Sequence, residues 1–201
     1  MIVIGLVGGI GSGKSFVADH LQALGAARFD ADRAGHQVLH FPRVKAALKA
    51  RWGDVIFDEQ GEVSRSELAK FVFAPPPKGP EDLLYLESIT HPEIVRLLQQ
   101  TIEKCHQEQI PLLVIDAALL LKAGWHIHCD EVWYIDAPAE VRWQRVQQRG
   151  WNQDHWKNRE NSQTPLDLKK RKADRIIVNA GKVEETVAQI SQAWQELISS
   201  G

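Results

Sequence analysis

At 201 residues, with 44% hydrophobic and 25% charged residues, the chain is long enough to bury a core and too balanced for a disordered, fibrous or disulfide-stapled class. A formal net charge of −2 gives no general attraction to nucleic acid or to an anionic membrane, and no apolar run is long enough to span a bilayer. Only two cysteines, Cys105 and Cys129, are present, which fits a reducing cytosol, so a soluble cytoplasmic protein is expected, monomeric or weakly homo-oligomeric.

The apolar start, residues 2–7, has no basic region before it and runs straight into glycines, so it reads as a buried strand and not as a targeting segment. A glycine-rich loop follows, then a helix over about 14–24 stopped near Gly25. Residues 27–29 form a second short strand leading into Asp30-Ala31-Asp32. Further strands are expected at 112–115 (LLVI), 131–135 (EVWYI) and 175–178 (RIIV), with helices at about 138–148 and 183–198. Strands alternating with helices imply a three-layer α/β fold around a five-stranded parallel sheet.

From 33 to 109 the pattern is helix after helix. Ser64 and Glu67 make an S-x-x-E capping box opening a segment that ends near Phe73. The proline-rich stretch 75–80 is expected to be a stiff loop, and a new helix is expected to begin at His91-Pro92, where proline suits a first turn. The chain then reads as one domain over 1–201. Its core would be 1–32, 110–150 and 173–201, with a helical substrate-binding insertion at 33–109 and a lid at 151–172.

Gly8-Gly9-Ile10-Gly11-Ser12-Gly13-Lys14-Ser15 fits G-x-x-x-x-G-K-[ST], between a predicted strand and a predicted helix. The glycines let the backbone curl so that its N–H groups converge on the phosphates of ATP or GTP, helped by the helix N-terminus. Gly8, Gly11, Ser12 and Gly13 form the cradle. Lys14 is expected at the β/γ-phosphates and the Ser15 hydroxyl on Mg²⁺. Asp58-Glu59-Gln60-Gly61 matches the D-x-x-G of a GTPase switch, but there is no N-K-x-D element, and a plain turn accounts for it.

A phosphotransferase also needs a carboxylate to orient or deprotonate its acceptor, and cations around the transferred phosphoryl group. Asp30 and Asp32 lie at the end of the second strand, and period-two alternation puts both on one side if the strand continues that far. Asp32 is the candidate base. Asp116, ending LLVI, occupies a Walker-B-like position for Mg²⁺. Arg142, Arg145 and Arg149, at spacings of three and four, share one broad helical face. Arg159 follows in a polar stretch, 151–163, with few aliphatic residues to anchor it, as suits a mobile lid. These residues alone leave open a small-molecule kinase, a nucleoside monophosphate kinase and a nucleotide-dependent switch protein. His126-Ile127-His128-Cys129 and Cys105-His106 offer zinc ligands at spacings too irregular for a structural site. Trp133 and Trp143 fit core roles, whereas Trp151 and Trp156 in the lid stretch are candidates to pack on a nucleotide.

Taken together, GLVGGIGSGKS, FDAD, VSRSELAKFVF, LESITHP, DAALLLKAGW and ADRIIVNAG resemble, in the same order, the sequence blocks of the dephospho-coenzyme A kinases. The resemblance implies transfer of phosphate from ATP to the ribose 3′-hydroxyl of dephospho-coenzyme A, the last step of coenzyme A biosynthesis. It implies Asp32 as catalytic base, Gly11 to Ser15 as the ATP cradle, Arg145 on the phosphates, and Arg149 and Arg159 in the lid. Arg65, Glu87 and His91 would form the coenzyme A side of the cleft, and Asn179 and Gly181 would lie near the adenine. Val7, Phe16, Ala118, Lys122 and Val178 depart from the family pattern, and Lys122 in place of a glutamate is the largest change in charge.

Overall fold

The computed structural model describes residues 1–199; residues 200 and 201, the end of the expected core segment 173–201, lie outside the described residues. In chain order the elements are β1 (Ile2–Gly8), α1 (Lys14–Ala23), β2 (Ala27–Asp30), α2 (Ala31–Val38), α3 (Pro42–Trp52), α4 (Arg65–Val72) and α5 (Lys78–Gln107). Then come β3 (Leu112–Asp116), β4 (Glu131–Asp136), α6 (Ala139–Gln147), α7 (Gln153–Asn161), α8 (Leu166–Arg171), β5 (Arg175–Val178) and α9 (Val183–Ser199). They divide into two compact units, one of Met1–Ala31 with everything from Thr101 onward, the other Asp32–Gln100.

The first unit holds the sheet, in the order β2-β3-β1-β4-β5 with every pairing parallel. β1, β3 and β4 are almost wholly buried, which explains why their sequences are continuous apolar runs and not alternating ones. Ile4, Leu6, Leu112, Val114, Trp133 and Ile135 share a core with Val17 and Leu21 of α1 and Ile190 and Trp194 of α9. β1 lies between β3 and β4, so the chain leaves its C-terminal end at a topological switch point, where open α/β sheets form their ligand crevice.

The second unit packs α3, α4 and the first half of α5 around Leu48, Trp52, Ile56, Leu68 and Val72. Ser64 caps α4, its hydroxyl accepting from the Glu67 amide at 3.4 Å. The stiff loop is confined to residues 75–77, and no new helix begins at 91. α5 already runs from Lys78, and Pro92 lies inside it. Pro80 is accommodated because the first amides of a helix have no intrahelical partner, and the Gly79 and Glu81 amides instead donate to the carbonyls of Pro75 and Pro77. At Pro92 the helix forgoes one hydrogen bond. It is held there by Leu83, Tyr85, Leu86 and Ile89, which pack on the unit's core.

Asp30 and Asp32 also part company. β2 stops at Asp30 and α2 starts at Ala31, so alternation does not reach Asp32, which lies in the first turn of α2 where the helix dipole favours an acidic side chain.

Candidate nucleotide site

The loop from Gly9 to Gly13 joins the C-terminal end of β1 to the N-terminus of α1. Gly13 takes φ 94° at the N-cap of α1, and a Cβ there would lie 2.1 Å from Asn179 Nδ2; at Gly11, φ 85°, a Cβ would lie 2.5 Å from the Arg142 carbonyl. Neither position has room for a side chain, and both need a backbone conformation that glycine adopts freely.

Every carbonyl of the loop is engaged. Lys169 Nζ donates to Gly8 O at 3.0 Å and Arg142 Nη1 to Ile10 O at 3.3 Å. Arg145 Nη1 reaches Gly11 O at 3.4 Å and Ser12 O at 3.2 Å, and Asn179 Nδ2 adds a bond to Ser12 O at 2.7 Å. Gly9 O and Gly13 O accept from the Ser12 and Val17 amides. With its carbonyls already supplied with donors, a glycine loop at a helix N-terminus has its remaining amides to offer, and clustered amides there suit an anion. Two loop amides are occupied by protein: that of Ser12 by Gly9 O, and that of Ile10, which donates to Glu160 Oε1 at 3.3 Å, the same carboxylate pairing with Arg142.

Of the three arginines expected on one face, only Arg142 and Arg145 belong to α6. The helix ends at Gln147, and Arg149 lies beyond it. Arg142 is buried and committed to Glu160, Ile10 O and Ala137 O, leaving Arg145 as the half-buried guanidinium against the loop. Burial, with the neighbouring charge of Arg149, pushes the pKa of Arg145 below its usual value. Arg145 Nη2 also bonds Asn179 O at 3.0 Å, and Asn179 Oδ1 accepts from Thr186 Oγ1 at 3.2 Å, so α6, the end of β5 and α9 are joined at the loop. Segment 151–172 folds as α7 and α8. Its anchor is aromatic: Trp156 is buried and stacks on Trp143 at 5.5 Å, with Arg142 over its ring. Exposed Arg159 lies over Trp151 at 5.4 Å.

Asp116 ends β3, in register with Leu6 of β1 and Asp30 of β2. Its Oδ2 accepts from Arg28 Nη2 at 2.5 Å, and Arg28 Nη1 reaches Asp19 at 2.6 Å. Burial opposes the Arg28 charge, but the Asp116 hydrogen bond and the nearby carboxylates outweigh it, so its pKa is raised. Ser15 is exposed in the first turn of α1. Hydroxyl and carboxylate oxygens suit Mg²⁺, which takes one or two protein ligands and completes its shell with phosphates and water. No cluster of three metal-ligating side chains occurs among the described residues.

Four further candidates belong to the second unit. Asp32 is exposed on α2, Arg65 is the exposed first residue of α4, and Glu87 and His91 are half-buried on α5, four residues apart and so on one face. Lys169 and Glu160 carried no signal in the sequence. Each is an ordinary charged residue in a polar helix, about 150 residues or more from its partner in the loop.

A family model described as dephospho-CoA kinase matches residues 2–185. The chain is 37% identical over 197 residues to the dephospho-CoA kinase of Carboxydothermus hydrogenoformans, covering 96% of this chain and 93% of that protein. It is 36% identical over 198 residues to that of Aquifex aeolicus, covering 96% of each. The crystal structure of TT1252 from Thermus thermophilus is similar with a TM-score of 0.82 and 30% identity, over 98% of this chain and 97% of that one.

Proposed function

The chain belongs to the dephospho-CoA kinase family, and from that premise we propose how its residues divide the work of phosphorylating dephospho-coenzyme A. The reaction moves the γ-phosphoryl group of ATP to the ribose 3′-hydroxyl and releases coenzyme A and ADP. The observation that supports the assignment of roles is a glycine loop at a helix N-terminus whose carbonyls already have donors, which in this reading leaves its remaining amides for the polyphosphate.

In this reading the amides from Gly11 to Ser15 hold the β- and γ-phosphates, and Lys14 and Arg145 balance the charge that develops as the phosphoryl group transfers. Asp32 accepts the proton of the 3′-hydroxyl; that oxygen forms a bond to the γ-phosphorus while the bond from the γ-phosphorus to the bridging oxygen of ADP breaks. Ser15 and Asp116 would hold Mg²⁺, which supplies charge neutralisation across the phosphate oxygens. Asn179 and Gly181 line the adenine end, and Arg149, just before segment 151–172, and Arg159 within it close over the phosphates to exclude water. Arg65, Glu87 and His91, within the helical insertion 33–109, bind the coenzyme A side of the acceptor.

The test is purified protein with ATP, Mg²⁺ and dephospho-coenzyme A, following ADP and coenzyme A together, with adenosine and cytidine monophosphates in parallel. Coenzyme A forming one-for-one with ADP is the expected result. Phosphorylation of a nucleoside monophosphate in its place, or ADP with no phosphorylated acceptor, would overturn the assignment.

A further inference from the structure

Lys169 is only 3% exposed, yet no carboxylate lies within ion-pair distance of its ammonium among the described residues. Its hydrogen bonds go to two neutral acceptors, Gly8 O at 3.0 Å and Gln163 Oε1 at 2.7 Å. An ammonium has three donors, so one remains for another partner. The charged groups facing it are Lys14 from α1, Arg142 from α6 and Glu160 from α7, two cations and one anion that is already paired with Arg142. A buried charge in such surroundings is destabilising unless a counter-ion is supplied. Burial first, then the charge of Lys14, lowers the pKa of Lys169 to about 8.

We propose that Lys169 is a second phosphate-loop lysine, fixed at the Gly8 carbonyl, whose missing counter-ion is the polyphosphate of the bound nucleotide. The inference rests on the loop being the ATP site. It makes α8 part of the binding site and gives the gap in charge a purpose: the folded protein keeps a cation that is fully accommodated only when nucleotide is present. Since Lys169 titrates near pH 8 without ligand, an arriving polyanion must raise its proton affinity, and nucleotide binding above that pH takes up a proton.

Isothermal titration calorimetry with Mg²⁺ and β,γ-methylene-ATP tests this, run at pH 8.5 in two buffers of different ionisation enthalpy. About half a proton or more taken up per site is expected, falling towards zero at pH 7, where Lys169 is already charged. Lys169→Met should bind roughly tenfold or more weakly at pH 7, as expected for one lost charge-assisted contact, and should lose the proton uptake. Tight binding by the wild-type protein with no uptake at pH 8.5 would overturn the role of Lys169 and leave the loop assignment intact, as would undiminished uptake in Lys169→Met. Failure of the nucleotide to bind at all would overturn both.

Discussion

At the scale of single residues, the division of labour separates binding from chemistry. In the proposed mechanism Lys14 and Arg145 act on charge that ATP carries before and during transfer, whereas Asp32 acts only on the acceptor proton. Asp32→Asn should therefore leave ATP affinity unchanged and lower turnover by roughly 10²-fold; a dissociation constant for ATP measured beside kcat checks both halves. The loop itself was legible because its signal is contiguous: eight residues between an apolar run and a helical pattern. Its surroundings were not. The donors that fix its carbonyls are Arg142, Arg145, Lys169 and Asn179, side chains 132 to 167 residues away, and nothing local marks a lysine in LDLKKR as buried. Spacing alone puts Arg142 on one helical face with Arg145 and Arg149, and only the fold shows that it is buried against Glu160.

The secondary-structure elements show the same contrast between local pattern and tertiary context. β1, β3 and β4 were readable because strands covered on both faces demand unbroken apolar runs, whereas the partly buried edge strands β2 (ARFD) and β5 (RIIV) were readable mainly from their place in the strand–helix alternation. α5 was misread because Pro80 and Pro92 are strong local breakers, while the packing that overrides them is tertiary. Pro92→Ala restores a missing backbone donor, and urea denaturation should report a gain of roughly 1–3 kcal/mol. A loss would mean that the proline sets a bend on which the packing depends. α7 is tied to the phosphate loop by one side chain, Glu160, which meets both Arg142 and the Ile10 amide. Glu160→Ala strands a buried guanidinium that keeps only carbonyl partners, so a destabilisation of about 2–3 kcal/mol is expected. Calorimetric melting checks this, and a melting temperature within a degree of wild type would show the tie to be idle.

For the molecule as a whole, buried Lys169 and half-buried Cys129 set opposing trends with pH. Lys169 loses its proton near pH 8 when folded, and an unfolded lysine does so near 10.4, so the unfolded state holds more protons between those values and stability rises with pH there. Burial raises the Cys129 thiol to about 12, so above its ordinary value of 9.0 the folded state holds the extra proton and stability falls. Each contributes at most about 1.4 kcal/mol per pH unit. Under reducing conditions, stability to urea should climb from pH 8 to 9, level off to about 10 and then decline, and Lys169→Met should abolish the climb and turn the plateau into a decline that starts near pH 9. A different property follows from the aromatic anchor of α7. Trp156 lies against Trp143 and under Arg142, while Trp151 stacks on His155 at 4.5 Å beneath Arg159. Indoles pressed against rings and cations emit differently from indoles in water, so the protein has a built-in optical gauge in which rearrangement of α7 alters its ultraviolet fluorescence without any attached dye.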